Sequence, residues 1–75
     1  MRYIEGQIAL TQAHILRCHA EIVSGAYKQR QQFHGTGNVP LSDEEKLADR
    51  MQVIGSHIHH LSELVERLAE KTEES

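Results

Sequence analysis

The chain has no tryptophan, one cysteine, one proline and only three aromatic residues, Tyr3, Tyr27 and Phe33. Each scarcity excludes something. A single cysteine cannot make an internal disulfide, and Cys18 alone cannot build a cysteine-based zinc site. A lone thiol suits a reducing compartment. Three scattered rings give no platform on which nucleic-acid bases would stack. No run approaches the ~20 apolar residues of a membrane span. The first seven residues lack the continuous apolar core of a secretion signal. The expectation is a soluble, cytoplasmic protein with no membrane partner.

The net charge of −3 is unevenly divided. Residues 1–33 carry four basic and two acidic side chains, whereas residues 34–75 carry four basic and nine acidic ones. Halves of opposite sign suit packing against each other better than wrapping a phosphate backbone. At 75 residues the chain is one small domain, of a size that usually needs a staple or a second copy.

What the chain does have is heptad spacing. Leu47, Met51, Ile54, Ile58, Leu61, Val65 and Leu68 are separated by alternating steps of four and three. That is the apolar seam of a coiled-coil-like helix. Beside it runs a row of small residues, Ala48, Gly55, Ser62 and Ala69. A helix edge with so little side chain lets another backbone approach closely. Gly55 costs a lone helix ~1 kcal/mol relative to Ala, so close packing is the expected reason for it.

Upstream, residues 2–33 contain no proline and read as one helix. Ile8, Ile15 and Ile22 repeat every seven residues, with Ile4, Thr11, Cys18 and Gly25 as a companion row. A further row holds Ala9, Leu16 and Val23, so the apolar arc exceeds what one partner helix covers. Gly25 is the weak point, where a bend is expected. Gly35, Gly37 and Pro40 place the loop at 34–42. The second helix, 43–71, opens with a capping box in which Ser42 is the N-cap and Glu45 reaches back. Residues 72–75 form a polar, frayed acidic tail.

These patterns predict an all-α fold: an antiparallel two-helix hairpin that self-associates into a four-helix bundle. A homodimer covers the leftover apolar arc. Its expected interface is Ile8, Ile15, Ile22, Leu47, Met51, Ile54, Gly55, Ile58, Leu61, Val65 and Leu68.

Three groups of residues compete as sites. The polar strip of the first helix, with Arg17 and Glu21, leads to a basic end at Tyr27, Lys28, Arg30 and His34. It is the expected surface for a protein partner, or alternatively for an anionic ligand such as a nucleotide or RNA. His57 and His60, three apart on the second helix, give the second alternative, weak binding of a transition metal. His14 and Cys18 are spaced for chelation too, but Cys18 falls on the apolar side and reads as a small core residue. No catalytic constellation emerges. Gly35-Thr36-Gly37 follows a helix rather than a strand and lacks the lysine of a phosphate-binding loop. The expectation is therefore a non-enzyme without a cofactor. It would act by protein–protein interaction, as an adaptor, inhibitor or regulator of an unidentified protein.

Overall fold

The computed structural model describes residues 2–74 and contains two helices, α1 (Arg2–Ser24) and α2 (Asp43–Glu74). They pack antiparallel as a hairpin, joined through a single 3-10 turn at Ala26–Gln29 and an irregular connector. The all-α hairpin expected from the heptads is the fold. Among the described residues no helix is long and apolar enough to cross a membrane.

α1 ends at Ser24, not near Phe33. The cause is Gly25, which sits in the left-handed region at φ 83°. That conformation closes a helix and is open to glycine at little cost. So the expected bend is a full stop. Leaving the helix lets Arg30 fold back onto Glu21, nine positions earlier. In a continuous helix the two would stand about 13 Å apart along the axis. The connector then turns through a small antiparallel bridge between Phe33 and Pro40. His34 N–H donates to the Val39 carbonyl at 2.9 Å and Leu41 N–H to the Gln32 carbonyl at 2.8 Å. Three side-chain links tie it to α2: Gln32 Nε2 to Asp49 Oδ2 at 3.0 Å, Lys46 Nζ to the Lys28 carbonyl at 3.0 Å, and His34 Nε2 with Glu45 Oε1 at 3.2 Å.

α2 starts as its sequence predicts. Ser42 N–H donates to Glu45 Oε1 at 2.9 Å, and Glu45 N–H donates to Ser42 Oγ at 3.2 Å. The reciprocal pair satisfies donors that a helix start otherwise leaves orphaned. At the other end the helix continues to Glu74, past the expected boundary at Lys71, and Ser75 lies outside the described residues. Thr72 Oγ1 donates to the Leu68 carbonyl within this last stretch.

The helices meet along rows one position away from the expected seam. On α1 the central row is Ile4, Thr11 and Cys18; Thr11 and Cys18 are buried. On α2 the facing row is Arg50, His57 and Leu64, with Leu64 buried. Leu47, Ile54, Leu61 and Leu68 flank that row and are half-buried, as are Ile8, Ile15 and Ile22 opposite. The other half of the seam, Met51, Ile58 and Val65, stays exposed at 58, 51 and 48%. The hairpin therefore leaves half of the α2 seam uncovered. The links from Asp49 to Gln32 and from Arg50 to Glu21 and Cys18 rotate α2 so that Arg50, not Met51, faces α1.

The result is thin. The hairpin measures 54 × 26 × 16 Å, with a radius of gyration of 16.2 Å. A compact chain of this length has about 11 Å. Only Thr11, Cys18 and Leu64 are buried among the described residues.

Candidate functional site

The two long edges of the hairpin differ in chemistry. On one edge Ile8, Ile15 and Ile22 of α1 lie beside Leu47, Ile54, Leu61 and Leu68 of α2, and Met51, Ile58 and Val65 extend the apolar surface outward. A shallow groove of about 340 Å³ opens here between Ile15 and Leu16 of α1 and Leu61 of α2. The small row Ala48, Gly55, Ser62 and Ala69 lies beyond Met51 and Ile58 and is exposed. A methyl group built on Gly55 meets nothing within 4 Å. Packing inside the chain thus supplies no reason for a glycine there.

The opposite edge is polar. His14, Arg17, Cys18 and Glu21 of α1 face Arg50, Val53 and His57 of α2, with Arg30 closing one end, around an open cleft of about 180 Å³. At its centre stands Glu21. Arg30 donates to both of its carboxylate oxygens, Nε to Oε1 and Nη2 to Oε2, the latter at 3.1 Å. This hydrogen-bonded fork, helped by the charges of Arg30 and Arg50, holds the Glu21 carboxyl below its usual range against the opposing effect of burial. The same bonds raise Arg30. Arg50 is the most buried cation of the group, its side chain 14% exposed. Its Nη2 donates to Asp49 Oδ2 at 2.9 Å. Its Nε is covered and has no acceptor, since Glu21 Oε1 is 3.8 Å away. Asp49 accepts from Gln32 and from Arg50, and these bonds lower its pKa. Above this network the rings of His14 and His57 stack with centroids 5.1 Å apart and planes 18° from parallel.

Of the residues singled out from sequence, Arg17, Glu21 and Arg30 are brought together in this cleft. Tyr27, Lys28 and His34 are not. Lys28 Nζ sits 5.9 Å from the Tyr27 ring centroid, and His34 Nε2 pairs with Glu45 Oε1 at 3.2 Å beside the start of α2. The histidines of α2 part company as well. His57 turns to His14, His59 lies 3.8 Å from Glu63, and His60 is exposed. Among the described residues no three His, Cys, Asp or Glu side chains are placed to hold a metal ion. Cys18 occupies the core position expected of it, 5% exposed, with its Sγ 3.3 Å from the Arg50 carbonyl.

Sequence reasoning missed Arg50 and the pairing of His14 with His57. The available signal was heptad spacing. Arg50, His57 and Leu64 form one row, and Gln7, His14 and Glu21 form another. Two polar rows at the same seven-residue spacing on two helices are able to face each other.

Against known proteins, the chain matches no protein-family model, no curated protein and no solved structure.

Proposed function

We propose that the chain is a non-enzymatic, homo-oligomeric helical protein that acts by binding another protein. In this reading a second hairpin covers the apolar edge and completes a four-helix bundle. The observation that carries it is surface area. The hairpin has 5757 Å² of accessible surface. A compact monomer of its mass, 8.5 kDa, has about 4,650 Å². The excess, roughly 1,100 Å², is of the order of the ~800 Å² that each partner buries in a standard interface. Met51, Ile58 and Val65 supply the apolar centre of that interface. The small row with Gly55 gives the second backbone room to approach.

Covering the apolar edge leaves Tyr3, Leu10 and Arg17 outside. They are spaced seven apart on one row of α1, bordering the polar cleft, and all three are exposed. Two apolar side chains in line with a cation give a foreign protein an anchor and a polar rim. A division into a self-associating edge and a free one supports reading the protein as a regulator.

Site-specific photo-crosslinking tests both halves. A crosslinker at Ile58 is expected to join two copies of this chain in purified material, and one at Leu10 to capture a different protein in a native extract. Purified protein sedimenting as a folded monomer at micromolar concentration overturns the first half. Self-crosslinking at Leu10 as efficient as at Ile58 overturns the second.

A further inference from the structure

We propose that the polar cleft between α1 and α2 is a binding site for a phosphate-type oxyanion, with Arg17 and Arg50 as its principal donors. Three arginines line it, and its lining carboxylate, Glu21, is already held on both oxygens by Arg30. Arg50 has two anionic neighbours, Asp49 through Nη2 at 2.9 Å and Glu21 Oε1 at 3.8 Å from its Nε, so three arginines stand against two carboxylates. Arg17 forms no ion pair among the described residues. The cleft is left with uncompensated positive charge in a chain whose net charge is −3.

The second observation is an orphan. The Arg50 Nε–H is covered by protein and has no acceptor within hydrogen-bond reach. Buried donors are nearly always paired, and this one, 3.8 Å from Glu21 Oε1, leaves the Arg50 guanidinium short of one hydrogen bond within the chain. The third is donor chemistry. His14 and His57 stand side by side at the cleft wall, and each carries a ring N–H beside the guanidinium groups. Guanidinium forks and imidazole donors converging from two helices match a tetrahedral anion with many acceptor lone pairs better than a cation. The same arginines repel a metal ion from the paired histidines. Space is sufficient: about 180 Å³ exceeds many times the ~10–15 Å³ that one water requires. The cleft lies on the edge opposite the apolar face, so the inference stands independently of self-association.

The test is a titration of the full chain with inorganic phosphate, following the arginine side-chain Nε–Hε resonances by NMR. Sodium chloride at matched ionic strength and acetate serve as comparisons. Phosphate is expected to shift the Arg50 and Arg17 signals saturably and more strongly than either comparison. Arg17→Gln removes an exposed, unpaired cation and leaves the fold intact. It is expected to weaken phosphate about tenfold, the loss of one charge-assisted hydrogen bond. Arg67→Gln removes a cation about 25 Å away along α2 and is expected to change nothing. A parallel titration with adenosine monophosphate separates free phosphate from a phosphate ester by whichever saturates first. Shifts that track ionic strength alone, or an affinity unchanged in Arg17→Gln, overturn the proposal.

Discussion

His14 of α1 and His57 of α2 stack ring on ring across the hairpin, 5.1 Å between centroids. They bridge two helices that otherwise meet through few buried side chains. Their contact is an aromatic pair with polar edges, and its energy is separable from burial by a double-mutant cycle. Replacing each by Ala, singly and together, is expected to give a coupling of about 0.5–1.5 kcal/mol in mildly alkaline buffer. Urea unfolding of the four proteins measures it, and additive losses would remove the stack as a stabilising contact.

Acid should weaken the hairpin through Glu21 and Asp49. Both carboxyls titrate lower in the folded chain than their ordinary values of 4.5 and 3.8. A lowered folded pKa means the unfolded chain binds protons first as pH falls. The stability they contribute is therefore complete above about pH 4.5 and is lost as pH drops through the folded values. Glu21→Gln is expected to flatten this acid limb and to lower stability at neutral pH. Denaturant midpoints measured across pH check both effects together.

Gly25 and Gly55 should respond oppositely to alanine. At Gly25 the backbone has φ 83°, where a Cβ is strained, so Gly25→Ala is expected to destabilise by about 1 kcal/mol or more. At Gly55 the helix is ordinary and the space open, so Gly55→Ala should raise helix propensity by ~1 kcal/mol. If a second backbone lies against that row, the same substitution weakens association. Helix content and sedimentation, measured on one sample, read the two effects separately.

The capping box at Ser42 predicts a local cost. Ser42→Ala removes the acceptor for Glu45 N–H, and about 1 kcal/mol should follow. Ser42→Asp keeps an acceptor and should restore most of it. Thermal melts of the three proteins are sufficient.

The apolar edge predicts that charge placed there acts on assembly rather than on the hairpin itself. Ile58 is 51% exposed, so Ile58→Glu should shift the sedimentation profile toward single chains. A profile unmoved by the substitution counts against the interface.

Helix type, hairpin topology and the start of α2 were legible because each rests on local chemistry: heptad spacing, a proline-bearing loop, a capping box. The end of α1 was half-legible. Gly25 stood out as a weak point, but whether it bends the helix or ends it is not encoded in spacing, and neither is the return of Arg30 to Glu21 across nine residues that the stop allows. The orientation of α2 was misjudged for a related reason. A seam of seven large apolar residues hides a neighbouring row, Arg50, His57 and Leu64, that wins the packing because its polar members find partners on α1 and the connector. Arg17, Glu21 and Arg30 were recognisable as a group by charge; Arg50 was not, since it comes from the acidic half of the chain.

A slab 16 Å thick keeps every peptide group within one side chain of water. Solvent exchange of backbone amide hydrogens in the lone hairpin then requires only shallow openings, and no deeply protected set should exist. Any amide in α1 or α2 that holds its hydrogen for hours reports a layer of atoms that this chain does not itself possess.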